Sequence, residues 1–155
     1  MTQARFYEAA SGILTREAFT FMVDHQLRCA QRTQEFLTLV VFHVERDTRE
    51  LAAAADEWLM REIGRIIRYA VRNTDLLGRT ADGVLALLLG GIDTERASTV
   101  IDRLNGHLTC YRTSPLHITV GAACCPTHAI ASDELFRQAL LRRRNGTDRS
   151  LGHSG

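Results

Sequence analysis

The chain has 155 residues, a formal net charge of +1, and 19 basic residues that are all arginine. The absence of lysine excludes Walker-type phosphate loops and Schiff-base enzymes, because both need a lysine side chain. The near-neutral charge argues against general nucleic-acid binding, which favours a strongly basic domain.

The length predicts one domain over residues 1–145, followed by a flexible tail at 146–155 that lacks core residues. The sequence contains no run of 18 apolar residues, so we expect no membrane span. The first residues lack the apolar stretch of a secretory signal, and the four cysteines show no Cys-x-x-Cys spacing. We therefore expect reduced thiols in a cytoplasmic protein.

The first half of the chain predicts a helix, a strand and a longer helix. Thr15 can cap a helix that runs to about Gln31, with apolar residues at steps of three and four. The continuous apolar run from Phe36 to Glu45 predicts a buried central strand. From Arg49 to Arg72 a second apolar stripe predicts a long helix.

The next segment predicts a β-hairpin. Two apolar runs, Asp75 to Thr80 and Val84 to Leu89, flank the residues Ala81, Asp82 and Gly83. An Asp-Gly pair between two strands is typical of a tight turn, because glycine adopts a positive φ without steric cost.

The remaining elements are a helix, a strand and a last helix. Asp93 or Thr94 caps the first helix, Leu116 to Cys124 forms the strand, and Ser132 caps the second helix. The whole order predicts an α+β fold in which helices flank a mixed central sheet.

Three stretches together resemble the GGDEF, or diguanylate-cyclase-like, family. Glu8 to Phe19 is similar to the family's D-x-L-T-G-L-x-N-R-x-x-F stretch. Arg72-Asn-Thr-Asp75, followed by Arg79 to Leu85, resembles R-x-x-D followed by R-Y-G-G-D-E-F, and Ile118 to Ala123 resembles the late strand S-I-G-V-A. The resemblance implies the palm-like sheet of nucleotidyl cyclases.

The same resemblance implies that the catalytic positions are altered. In active relatives, an aspartate at the end of the first strand and the glutamate of the hairpin bind two divalent metal ions. The first position is His43 here, and the glutamate position is Val84. The vestigial active-site positions are His43, Glu45, Ala81, Asp82, Gly83, Val84 and Leu85.

The guanine-binding stretch of the family is altered as well. Asp47 to Asp56 is about four residues shorter than the family pattern and lacks its Asn-Asp pair. Alanine side chains cannot form hydrogen bonds with the edge of a base, so the guanine-binding site is altered too. Because the metal-binding and guanine-binding positions are both altered, we expect no catalytic residues, no metal site, no cofactor and no cyclase activity. The resemblance then implies a regulatory domain of cyclic di-GMP signalling that binds another signalling protein or a second copy of itself.

Arg72 and Asp75 support an alternative function. Their R-x-x-D spacing matches the family's inhibitory site for cyclic di-GMP, so the chain could serve as a receptor for that ligand. The alternative is that the two residues form only a structural ion pair between the end of a helix and the start of a strand.

Two other groups of residues suggest weaker alternatives. His43 and Glu45 share one face of a strand, which could make half a transition-metal site or, with Asp82, an enzyme of altered specificity. Arg142 to Arg144 could meet phosphates or an acidic partner, but we expect a solvated helix end.

Overall fold

The computed structural model describes residues 12–46, 57–109 and 116–145. Its helices are α1 (Arg16–Thr33), α2 (Glu57–Ala70), α3 (Thr94–His107) and α4 (Ser132–Leu141). Its strands are β1 (Leu37–Arg46), β2 (Leu76–Ala81), β3 (Val84–Gly90), β4 (Leu116–Cys125) and β5 (Arg144–Asn145). The predicted helix start at Arg49 and the predicted tail at 146–155 lie outside the described residues.

The five strands form one sheet in the order β2-β3-β1-β4-β5. All four ladders between them are antiparallel. In the described ranges, parallel pairing is limited to one isolated bridge between Leu14 and Gly78. We predicted a sheet with both parallel and antiparallel strands, but the ladders are all antiparallel. The predicted α+β class is confirmed.

The sheet separates two apolar clusters, because successive side chains of each strand point to opposite faces. One cluster joins the sheet to α2 and α3 through Val40, Phe42, Ile63, Ile67, Leu87 and Leu104. The other joins it to α1 and α4 through Phe19, Val23, Leu39, Val41, Leu135 and Ala139. Helices therefore cover both faces; β1 is buried as predicted, and most of β3 is buried as well.

The helix starts test the predicted caps. The Thr15 hydroxyl accepts a hydrogen bond from the Ala18 amide at 3.3 Å, and Asp93 caps α3. The prediction for Ser132 is wrong, because Ala131 has the extended backbone of the cap position and Ser132 is the first helical residue. Asp133 instead accepts from the Glu134 amide at 2.8 Å within the first turn.

Across the described ranges, we find no helix that combines the length and the apolar character needed to cross a membrane. Cys124 and Cys125 are buried at the end of β4, more deeply than the partly buried strand end that the sequence suggested.

Candidate functional site

The turn between β2 and β3 lies beside the end of β1. Ala81 pairs with Val84, so the predicted tight turn consists of Asp82 and Gly83 alone, and Gly83 has a φ of +72°. The Val44 amide donates a hydrogen bond to the Gly83 carbonyl at 2.7 Å. The hairpin tip is thereby held against the central strand.

This arrangement brings together the two positions that the resemblance assigns to metal-binding carboxylates. His43 on β1 lies directly opposite Val84 on β3 and directly opposite Thr119 on β4. Direct cross-strand partners have Cβ atoms about 4.5–5.5 Å apart, close enough for two carboxylates to share an ion. Here one of the two side chains is an imidazole and the other is a valine.

His43 contacts two charged side chains. Arg143 donates a hydrogen bond from Nη1 to His43 Nδ1, and Glu45 Oε1 lies 3.8 Å from the same nitrogen. Burial lowers the pKa of His43; Glu45 opposes this change and Arg143 adds to it. The pKa direction and the donor on Nδ1 both favour a neutral imidazole that accepts at Nδ1.

Gly121 allows the end of α4 to bring Arg143 to His43. A Cβ atom on Gly121 would lie 2.0 Å from the Ala139 carbonyl oxygen and 2.8 Å from the Arg143 backbone nitrogen. The Arg143 side chain is further held by a hydrogen bond from Nε to the Leu140 carbonyl at 3.0 Å. Arg142 to Arg144 are exposed as predicted, but the solvated-end prediction missed the contact of Arg143.

The residues at this position do not fit the divalent ions of the family. Mg²⁺ prefers carboxylate oxygens, whereas His43 and Val84 offer one nitrogen, to which a guanidinium is already hydrogen-bonded. Within the ranges described, no group of three or more His, Cys, Asp or Glu side chains could hold a metal ion. In the part of the chain that the structure describes, His43 and Glu45 therefore offer two potential metal ligands, and no third side chain of these types completes the group.

An open cavity of about 550 Å³ lies beside the hairpin tip. Its lining residues are Arg16, Glu57, Arg79, Thr80, Ala81 and Asp82. Arg79 Nη1 lies 2.5 Å from Glu57 Oε2, and the Arg79 side chain is only 11% exposed. The cavity therefore contains charges of both signs, and one of its two guanidinium groups is engaged by a carboxylate.

Four residues of this cavity, Arg16, Glu57, Arg79 and Thr80, were absent from the predicted site. Arg16 and Glu57 stand at the first positions of α1 and α2, about 40 residues apart in the chain. Arg16 belongs to the stretch that resembles the family, which was an available signal. No local pattern marks Glu57, because its role depends on Arg79 of a different element.

Arg72 and Asp75 form the turn between α2 and β2. Asp75 Oδ2 accepts from the Arg72 amide at 3.0 Å, and Oδ1 accepts from Arg72 Nη2 at 3.3 Å. The same guanidinium donates to the Gly90 carbonyl at 3.2 Å, and Arg68 donates to the Asp75 carbonyl at 2.7 Å. The Asp75 side chain is 4% exposed and the Arg72 side chain is 60% exposed.

Comparison with protein families gives a match over most of the chain. The family model described as "Diguanylate cyclase, GGDEF domain" matches residues 6–142. Among curated proteins, none matches the chain significantly.

Solved structures of GGDEF domains share the fold. A diguanylate cyclase protein from Thermotoga maritima has a TM-score of 0.72 at 17% identity, covering 85% of this chain and 96% of that one. The GGDEF domain of PA1120 (YfiN or TpbB) from Pseudomonas aeruginosa has a TM-score of 0.72 at 23% identity, covering 84% and 88%. The GGDEF domain of DgcB from Caulobacter crescentus, solved with cyclic di-GMP, has a TM-score of 0.63 at 11% identity, covering 83% and 80%.

Proposed function

Because the chain belongs to the GGDEF domain family, we propose that it is a catalytically inactive, cytoplasmic regulatory domain of cyclic di-GMP signalling. In this proposal it produces no cyclic dinucleotide and acts by binding another signalling protein or a second copy of itself. The family's place in cyclic di-GMP signalling is the premise, and the altered site is the reason for the loss of catalysis.

The observation that carries the proposal is the contact between Arg143 and His43. The guanidinium places a positive charge at the position where active relatives use an aspartate to bind a metal ion. A second cation would be repelled there, since two like charges at short range are unfavourable in a partly buried site. Val84, the register partner of His43, offers no ligand in compensation.

The other altered positions support the same function. Ala81 and Asp82 stand where the family has its paired glycines, whose small size lets phosphate groups approach the backbone. The guanidinium of Arg79, a cation beside the turn, is paired with Glu57. The predicted loss of the guanine-binding residues falls on 47–56, which lie outside the described residues.

The outer face of α2 supports a role in protein binding. Trp58 and Tyr69 are 60% and 93% exposed and stand three helical turns apart on one stripe. Between them lies an ion pair in which Arg65 Nη2 is 3.3 Å from Glu62 Oε2. Exposed aromatic side chains with an arginine between them are typical of interface residues.

The test is an assay of cyclase activity. The protein is incubated with GTP and Mg²⁺, and in parallel with Mn²⁺, and cyclic di-GMP is measured by mass spectrometry beside an active GGDEF protein. We expect product at the level of the protein-free control. Time-dependent formation of cyclic di-GMP above that level would overturn the proposal.

The second candidate function is a receptor for cyclic di-GMP. The exposed guanidinium of Arg72 favours it, because that group remains open to a phosphate or a guanine edge from solvent. The buried carboxylate of Asp75 opposes it, because its oxygens already accept from Arg72. Calorimetry with cyclic di-GMP, using Arg72→Ala as the control, distinguishes the two: heat that the variant abolishes would support the receptor.

A further inference from the structure

The outer face of α1 carries a pair of metal-ligating side chains outside the site described above. His25 and Cys29 are four residues apart, so they lie one above the other on the same face of the helix. Both are exposed, and Cys29 is a free thiol. His25 Nε2 lies 3.7 Å from Cys29 Sγ.

The distance between these two atoms suits a tetrahedral zinc ion. Zn–S bonds of about 2.3 Å and Zn–N bonds of about 2.0–2.1 Å, at a tetrahedral angle, place the sulfur and nitrogen atoms about 3.6 Å apart. The separation in the structure is 3.7 Å. The two side chains could therefore bind one zinc ion without a change in the course of the helix.

The pair supplies half of the ligands that a closed zinc site needs. Structural zinc sites have four protein ligands, commonly two cysteines and two histidines. In the ranges given above, no third His, Cys, Asp or Glu joins this pair in a possible metal-binding group. A second copy related by a two-fold axis would bring the same pair again, because such an axis places identical patches face to face.

Phe21 provides apolar surface for that contact. It stands four residues before His25, on the same stripe of α1, and is 63% exposed. A large aromatic side chain on an open helix face gains free energy when a partner covers it. In a two-fold contact through α1, each copy would present one Phe21 beside the metal ligands.

We propose that His25 and Cys29 form half of a zinc site, which is completed as a Cys₂His₂ site when two copies of the chain meet through α1. Each Cys29 thiol loses its proton to solvent on binding and coordinates zinc as the thiolate, and each His25 coordinates through Nε2 as the neutral imidazole. This site does not depend on the proposed loss of cyclase activity, since it shares no residue with the hairpin or the end of β1.

The test measures zinc stoichiometry and mass together. The protein, kept reduced with a phosphine, is titrated with Zn²⁺, and its mass is followed by light scattering after gel filtration. We expect one zinc ion per two chains and a shift from 17.3 kDa to twice that mass, reversed by a chelator. Titration with Co²⁺ should add a thiolate-to-cobalt charge-transfer absorption and the visible bands of a tetrahedral site.

Two variants test the ligands, and a third serves as their control. Cys29→Ser and His25→Gln should each weaken zinc-dependent dimerisation by more than about 100-fold, because even loss of a supporting hydrogen bond costs about 10–100-fold in metal affinity. His107→Gln, which removes an exposed imidazole on α3, is the matched control and should behave like the parent. A Cys110→Ser background removes a thiol that lies outside the described residues.

Two results would overturn the proposal. One is zinc binding at one ion per chain without a change of mass. The other is dimerisation that persists unchanged in Cys29→Ser. The three substitutions are at exposed positions, where effects on stability usually stay within about 0.5 kcal/mol, and equal thermal midpoints in chelator would verify that each variant is folded.

Discussion

Arg143 donates a hydrogen bond to Nδ1 of His43, although 100 residues separate the two in the chain. The contact joins a residue two positions beyond α4 to the second half of the central strand β1. It depends on Gly121, whose missing side chain leaves room for the backbone around Ala139 and Arg143. In the function proposed above, this guanidinium stands where active relatives use an aspartate.

The first prediction concerns restored carboxylates. The triple variant His43→Asp, Val84→Glu, Arg143→Ala places two acidic side chains at partner positions of adjacent strands. We expect it to be less stable than the parent without metal, because like charges directly opposite repel. Addition of Mn²⁺ should then raise the thermal midpoint by about 5 °C, which corresponds to about 2 kcal/mol.

The matched control for this prediction is the neutral variant His43→Asn, Val84→Gln, Arg143→Ala, which should show no response to Mn²⁺. Thermal denaturation with and without metal measures both. An equal response of the parent and the acidic variant would contradict the idea that the side chains at these two positions decide metal binding.

The second prediction concerns Gly121. Gly121→Ala should lower the free energy of unfolding by about 1–3 kcal/mol, because the added Cβ meets backbone atoms that cannot rotate away. Gly106→Ala on α3 is the control, since nothing lies within 4 Å of the Cβ it would gain. That change should be neutral or stabilising by up to about 1 kcal/mol. Urea denaturation measures both, and equal effects would contradict the close approach at Gly121.

The third prediction separates the two residues of the R-x-x-D motif. Asp75→Ala should cost about 1–3 kcal/mol, because it removes the buried carboxylate that accepts a hydrogen bond from the Arg72 amide. Arg72→Ala should cost less than about 1 kcal/mol, since its side chain is 60% exposed. Chemical denaturation measures both costs. If Arg72→Ala proved as damaging as Asp75→Ala, the turn would depend on the ion pair rather than on the carboxylate.

The fourth prediction concerns pH. Burial lowers the pKa of His43 below its ordinary value of 6.5, Glu45 raises it and Arg143 lowers it further. The unfolded chain therefore binds a proton at this residue more readily than the folded chain does. The contribution of neutral His43 to stability is complete above pH 6.5 and is lost as the pH falls through the lowered pKa.

Urea denaturation between about pH 7.5 and pH 5 measures this effect. In His43→Gln the slope of stability against pH should be smaller than in the parent. In Arg143→Ala the pKa of His43 should move up, and the slope should shrink in the same direction. His128, whose pKa is lowered by burial and by Arg142, contributes equally to all three proteins, so an unchanged slope in His43→Gln would rule out this account.

Much of the fold could be predicted from the sequence, because helices, strands and tight turns depend on residues that are near neighbours in the chain. The caps at Thr15 and Asp93 and the turn at Asp82-Gly83 follow from side chains that act over two or three positions. The resemblance to the family needs only residue identity and order, as does the absence of carboxylates at His43 and Val84. The family match over residues 6–142 confirms the resemblance itself.

The contacts of the candidate site could not be predicted in the same way, because its residues come from elements that meet only after the sheet is ordered. Arg143 reaches His43 because α4 packs on β4 beside β1, and Glu57 meets Arg79 because α2 begins beside β2. The burial of Asp75 has the same origin, since neighbouring elements enclose its turn. The sequence alone therefore determined the family and the residue types at positions 43 and 84, whereas the tertiary structure decided that the Arg143 guanidinium lies against His43.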